Sequence, residues 1–213
     1  MISFKGQKRR TIVSKRAMKS NWFILNWRRF LSSSLFTMLE ILAVKINVFD
    51  HLLTKWRKPV LLLEIQMLNI LPSEKVLHLG CGAFPSATIL IAKQKKAHVV
   101  GIDNNNIAVK LARSCIKKKA LSNLVTIEHG DAIYFPVLDF DVIYIAINVW
   151  PIDKVLKHLA QTMKPTTRIL CKGSHKDIAT LLKNTEFQSL FSTYSTLEYP
   201  KIQSFILMKK VNI

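Results

Sequence analysis

From Pro59 onward, short apolar runs alternate with amphipathic stretches, and this alternation limits the fold more than any other feature. Apolar runs near 75–80 (KVLHLG), 97–102 (AHVVGI), 124–129 (LVTIEH), 140–146 (FDVIYIA), 167–171 (TRILC), 187–195 and 202–209 (IQSFILMK) read as strands. Helices are expected at 59–70, 86–95, 104–119, 151–163 and 174–184, the clearest being 151–163. There Ile152, Val155, Leu156, Leu159, Ala160 and Met163 recur at helical spacing. Strand and helix in strict alternation imply a parallel sheet covered by helices on both faces. The last two strands have no helix between them, so an antiparallel hairpin should close the sheet at one edge. The expectation is an α/β domain over residues 59–213 with a mostly parallel seven-stranded sheet and an antiparallel C-terminal strand. A short helical segment, residues 1–58, precedes it.

In such sheets the ligand sits at the carboxyl ends of the strands, where the strand order switches. Three strand ends carry suitable groups. After the first strand comes Gly80-Cys81-Gly82-Ala83-Phe84-Pro85. Its two glycines allow a tight turn and close backbone approach, and Pro85 suits the start of the next helix. After the second come Asp103 and Asn104, with Asp103 twenty-one residues beyond Gly82. A carboxylate there can accept both hydroxyls of a ribose. After the third comes Gly130-Asp131-Ala132, where Asp131 can accept from an adenine amine. Ala146 closes the fourth strand. A dinucleotide fingerprint wants a third glycine at position 85, which holds proline, so a nucleoside without phosphates is favoured over NAD.

This combination resembles the class I S-adenosylmethionine (SAM) fold, a Rossmann-like sheet whose members are mostly methyltransferases. Several stretches are similar to the nicotianamine synthase family in particular. These are the loop GCGAFP, the stretch FDVIYIAINVWPIDKVLKHLAQTMKPTTRILCKGSHK and the closing IQSFILMKK, within residues 59–210. The resemblance implies transfer of the 3-amino-3-carboxypropyl arm of SAM onto a small amine or amino acid, with Gly80, Cys81, Gly82, Phe84, Asp103, Asn104, Asp131, Ala132 and Ala146 around the cofactor. Methyl transfer to a small molecule or RNA is the alternative. A third reading is a non-catalytic SAM-fold module held to a membrane or RNA by its basic arm. That family also carries a larger helical N-terminal domain than the residues before position 59 provide, which leaves the acceptor open.

Arm transfer requires a base to deprotonate the acceptor ammonium. In the helix expected over 59–70, Val60, Leu61, Met67, Leu68 and Leu71 lie within about 60° of Glu64, which places Glu64 at the centre of the apolar face. Such a carboxylate is either a base with a raised pKa or a carboxylate bonded to a nearby tyrosine or amide. The family's base is likewise a glutamate upstream of the glycine loop. Tyr144 is the second candidate. His78 alternates within a strand and reads as a core histidine, Cys81 as small and inert in reactivity, and His175 as an exposed loop residue. No HExxH, Walker loop or metal-ligand cluster is present.

Composition enters through charge and cysteine. The formal net charge is +19, and residues 1–58 hold thirteen Lys/Arg against Glu40 and Asp50. Such an excess favours polyanions, so an anionic membrane surface or RNA is the expected partner of the basic N-terminus. The run FLSSSLFTMLEILAVKINVF (30–49) has nearly the length of a membrane span, but Glu40 and Lys45 near its middle each cost about 2.5–3.5 kcal/mol, which disfavours insertion. A cleaved signal peptide fits worse, because the basic stretch is too long. Cys81, Cys115 and Cys171 form no CxxC pair, which argues against a disulfide framework. The expected location is cytoplasmic, with membrane association through the arm as the variant of that reading.

Overall fold

The structure, a computed structural model, describes residues 9–12, 47–174, 177–199 and 202–210. In chain order the elements are β1 (Arg9–Ile12), α1 (Asn47–Leu68), β2 (Lys75–Leu79), α2 (Ser86–Lys95), β3 (His98–Asp103), α3 (Asn106–Lys118), β4 (Val125–His129) and β5 (Val142–Ile145). They continue with α4 (Ile152–Thr162), β6 (Arg168–Ser174), α5 (Asp177–Leu181), α6 (Thr185–Leu190), β7 (Phe191–Tyr199) and β8 (Ile202–Lys209).

All strands join one sheet in the order β1-β7-β8-β6-β5-β2-β3-β4. The β2, β3, β4, β5 and β6 pairings are parallel, and β8 runs antiparallel to both β6 and β7. The chain steps outward from β2 to β3 and β4, then returns to β5 on the other side of β2. The switch in strand order therefore falls between β2 and β5. This is the Rossmann-like fold expected from the alternation, with β8 as the reversed strand.

Period-two alternation sorts the strand residues to two cores. Val76, Val99, Val142, Tyr144 and Leu170 face α1, α2 and α3, where Ile65, Leu68, Ile91, Val109 and Ala112 meet them. Leu77, Leu79, Ile143, Ile145 and Ile169 face α4, α5 and α6, meeting Val155, Leu156, Leu159, Ile178 and Phe187. Each fully buried aliphatic side chain contributes about 1.5–3 kcal/mol, so these two layers hold the sheet between its helices.

Four features depart from the expectation. Among the described residues the sheet has eight strands, because Arg9–Ile12, within the N-terminal segment expected to be helical, pairs in parallel with β7. The helix expected to start at Pro59 begins at Asn47 and carries Pro59 inside it. One lost backbone bond is offset there by burial of Leu61, Ile65 and Leu68 against the sheet. Leu71, counted on the apolar face, lies past the helix end and is exposed. The strand expected over 187–195 is a short helix followed by a strand. Asn184 caps that helix by accepting from the Glu186 N–H, and Phe187 anchors it in the core. Residues 13–46, including most of the 30–49 run, and His175 lie outside the described residues.

Candidate SAM site

The site is built at the carboxyl ends of β2, β3, β4 and β5. Gly80 and Gly82 both have positive φ, 72° and 70°, which L side chains adopt only with strain. A Cβ on Gly80 would lie 2.6 Å from Val149 Cγ2 and 3.6 Å from Ala146 Cβ, so the turn after β2 presses directly on the loop after β5. The Gly80 and Cys81 N–H groups both donate to the Ile102 carbonyl at 2.9 Å, and the Ala146 N–H donates to the Leu79 carbonyl at 3.0 Å. These bonds fasten the glycine turn to its two flanking strands.

Asp103 ends β3 beside that turn. Its Oδ2 accepts from the Gly82 N–H at 2.9 Å and its Oδ1 from the Asn105 N–H at 3.0 Å. Each oxygen keeps a second lone pair, and the residue is only half-buried, so an oriented carboxylate stays partly open at the strand ends. Asn105 holds this corner from the other side, its side chain capping α3 through the Ile107 and Ala108 N–H groups. The Gly130 N–H donates to the Asp103 carbonyl, and His129 Nε2 donates to the Asn104 carbonyl, which brings the ends of β3 and β4 together. Asp131 is exposed and accepts from the Ile133 N–H through Oδ1, with Ala132 half-buried beside it.

Two of the expected cofactor residues take a different place. The Cys81 side chain is buried against the backbone of Gly101, where an added Cβ would lie 3.2 Å from Cys81 Cβ. Cys81 thus shapes the turn from the core side. Phe84 packs half-buried on the core of the α1–α3 face, with the Lys119 ammonium 5.6 Å from its ring centre.

Glu64 and Tyr144 meet away from the loops. Glu64 is 0% exposed, and Tyr144 Oη donates to its Oε2 at 2.6 Å. Lys172 Nζ lies 2.9 Å from Oε1, and Ser204 Oγ donates to the same oxygen at 2.7 Å. The carboxylate therefore sits in a satisfied cluster contributed by α1, β5, β6 and β8. Beside it, His78 stacks edge-on to Tyr144 at 5.0 Å and pairs with Thr88 Oγ1 at 2.7 Å. Burial, aided by the nearby Lys172 charge, lowers the His78 pKa from 6.5 to about 3. On the other sheet face, burial alone pushes the Cys171 thiol up to about 12.

Sequence reasoning missed Lys172, Ser204 and Asn105. Lys172 carried a signal, a cation interrupting the apolar run of β6. Ser204 carried none, because its partner is 140 residues away.

The residues fit SAM. Asp103 is an acceptor-only group suited to a ribose diol, Asp131 keeps an oxygen able to accept from an amine, and position 85 holds proline where a dinucleotide loop places its third glycine. When bound, SAM supplies an electrophilic carbon on a sulfonium. Among the described residues no cluster of His, Cys, Asp and Glu could hold a metal ion. Likewise, no helix among them is long and apolar enough to cross a membrane.

Fold and site together define a SAM-binding domain of the Rossmann-like class. More closely, the chain belongs to the family described as "Methyltransferase domain", whose family model matches residues 70–210. Among curated relatives, the demethylmenaquinone methyltransferase of Lactobacillus johnsonii is 31% identical over 54% of this chain and 48% of its own. The 2-phytyl-1,4-naphtoquinone methyltransferase of Synechococcus elongatus is 29% identical over 56% of this chain and 53% of its own. The chain spans about half the length of the curated relatives it matches. Among solved structures, a mutant of MtNAS in complex with SAM superposes with a TM-score of 0.67 at 18% identity, covering 82% of this chain and 72% of that one. The RNA methyltransferase from Salinibacter ruber in complex with S-adenosylhomocysteine gives 0.61 at 18% identity, covering 73% and 94%. At these identities the likeness is one of fold. The sequence resemblance to nicotianamine synthase gains no support from the curated relatives, which are methyltransferases by name.

Proposed function

We propose that this protein transfers the methyl group of SAM to a small, largely apolar aromatic acceptor of the quinone type. The family match over residues 70–210 carries this reading. The named activities of the Lactobacillus johnsonii and Synechococcus elongatus relatives point to the acceptor class. The surface around the cleft suits such an acceptor. Ile107, in the first turn of α3, and Tyr134 and Trp150, on the loops after β4 and β5, are 57%, 78% and 76% exposed. Large apolar side chains standing in water just beyond three successive strand ends favour an apolar ligand there.

Arm transfer is the second reading, kept because Glu64 occupies the position where its base would be sought. Its chemistry would need a carboxylate free to take a proton from the acceptor, and here Glu64 is fully buried against Lys172, Tyr144 and Ser204. That burial favours methyl transfer.

Product analysis decides between them. The protein is incubated with SAM and a panel of reduced naphthoquinones and small amines, and the nucleoside by-product is identified by mass spectrometry. Adenosylhomocysteine with a methylated aromatic acceptor is the expected result. Methylthioadenosine with an alkylated amine would overturn the proposal in favour of arm transfer.

A further inference from the structure

The charge beyond residue 58 is concentrated in one part of the fold. Residues 75–127 contain nine Lys/Arg and a single acid, Asp103, whereas residues 128–190 contain seven of each. A lysine-rich background would raise both stretches alike. The structure assigns them to opposite sheet faces. The balanced stretch builds α4, α5 and α6, where Lys157 pairs with Glu186 at 2.8 Å and Lys164 with Asp141 at 2.6 Å. The acid-poor stretch builds α2 and α3 on the other face. There Lys93, Lys95, Lys96, Lys110, Lys117 and Lys118 have no carboxylate within ion-pair distance among the described residues.

Helix-dipole compensation accounts for part of this set. Lys93 and Lys95 lie in the last turn of α2, and Lys117 and Lys118 in the last turn of α3. It covers Lys96 as well, the C-cap of α2, but not Lys110 or Arg113, which lie in the interior of α3. Residues Ala87–Ala92 of α2 are buried, so this helix emerges only at its lysine-bearing end. Lys110, Arg113, Ser114 and Lys117 line the outer side of α3 at helical spacing, all exposed.

The chemistry of the set selects among polyanions. Residues 75–127 contain one Phe, Trp or Tyr, Phe84, which packs on the core with Lys119 over its ring, so the stretch offers no array of aromatic rings for unpaired bases to stack on. Eight of the nine cations are Lys, compact point charges, and only Arg113 offers the fork that grips individual phosphates. Its Nε is already committed to the Ile127 carbonyl at 2.8 Å. A surface of lysine point charges suits the diffuse negative field of lipid headgroups. We infer that the last turn of α2 and the outer side of α3 form an attachment surface for an anionic lipid bilayer. By topology the lysine-bearing ends of these helices lie toward the amino edge of the sheet, away from the SAM cleft. The inference holds whichever group of SAM is transferred.

Two charge-matched variants of the full chain test it. The first is Lys93→Gln with Lys96→Gln, Lys117→Gln and Lys118→Gln. The second, on the balanced region and the C-terminal strand, is Lys154→Gln with Lys183→Gln, Lys209→Gln and Lys210→Gln. Each loses four charges. Binding is read by sedimentation with phosphatidylcholine vesicles containing about one-third phosphatidylserine, and SAM affinity by calorimetry reports that the fold is intact. The wild type is expected to bind these vesicles, to lose binding steeply with added salt and to ignore pure phosphatidylcholine. The first variant should bind at least 100-fold more weakly, following roughly fivefold per lysine near a charged membrane, and the second within about fivefold of wild type. Equal losses in both variants would reduce the effect to net charge and overturn the inference. Vesicle binding absent in the wild type, or duplex RNA bound more tightly than vesicles at the same salt and lost in the first variant, would overturn it as well.

Discussion

The Tyr144 hydroxyl donates to Glu64 Oε2 at 2.6 Å, across 80 residues of sequence and between α1 and the central strand β5. Lys172 Nζ approaches both partners, at 2.9 Å from Glu64 Oε1 and 3.3 Å from Tyr144 Oη. A carboxylate and an ammonium this deep persist only when the geometry and the extra hydrogen bonds compensate their desolvation. The cluster thereby joins α1 to β5, β6 and β8, directly under the strand that leads into the Ala146 loop.

The first prediction follows from this pairing. Glu64→Gln leaves the Lys172 charge buried without its counterion and should lower unfolding stability by about 3–5 kcal/mol, measured by urea titration. Adding Lys172→Met should recover a large share, because the orphaned charge is then gone. The ratio of adenosylhomocysteine formed to enzyme folded should hold. A Glu64→Gln protein with native stability and turnover reduced by about 10²–10⁴-fold would instead mark Glu64 as a general base.

The second prediction concerns Asp103. Asp103→Ala removes the carboxylate proposed to hold the ribose, which is also the acceptor of the Gly82 and Asn105 N–H groups. SAM affinity, measured by calorimetry, should fall at least about 100-fold, since two hydrogen bonds to a charged group are lost. Stability should fall by only about 1–3 kcal/mol, the usual cost of leaving such donors unpaired. Unchanged affinity would move the ribose elsewhere.

The third prediction concerns Gly80, whose φ of +72° and 2.6 Å approach to Val149 Cγ2 are separate obstacles to a side chain. Gly80→Ala should destabilise by about 1–3 kcal/mol. Combining it with Val149→Ala should relieve the collision and leave the backbone strain. If the double variant is no more stable than the additive sum of the two single ones, the contact is not the source of the cost.

The fourth prediction is a pH slope. Burial first, then the Lys172 charge, holds the His78 pKa near 3 against its ordinary 6.5. Between those values the unfolded chain takes up a proton that the folded chain does not. Stability therefore falls as the pH is lowered through this window, by up to about 1.4 kcal/mol per unit. Asp141 behaves differently. Its slight burial pushes its pKa up, but its Lys164 and Lys75 bonds and the Lys164 and Arg168 charges outweigh that, so its stabilising share is lost only below 3.8. Unfolding titrations between about pH 6.5 and 4.5 should show the slope in wild type and a flatter one in His78→Gln. Parallel slopes would mean that His78 takes up a proton in the folded state.

The sequence by itself determined the layers and the order of the fold. Apolar period determines which strand face is buried, and glycine, proline and asparagine punctuate the chain through their own backbone preferences, so α2 was legible to the residue and Asp103 to its strand end. These are local signals. What only the tertiary structure decided rests on partners brought together over long separations. Pro59 reads as a break, yet the helix passes through it because the sheet below buries Leu61, Ile65 and Leu68. Glu64 stands on the apolar face in either representation, but its role depends on Tyr144, Lys172 and Ser204, which lie 80, 108 and 140 residues away. The charge of residues 75–127 was countable from the start. That it gathers on one face, with the balanced stretch on the other, follows from the crossover that returns the chain from β4 to β5, past β2, and sends the later helices to the opposite side of the sheet.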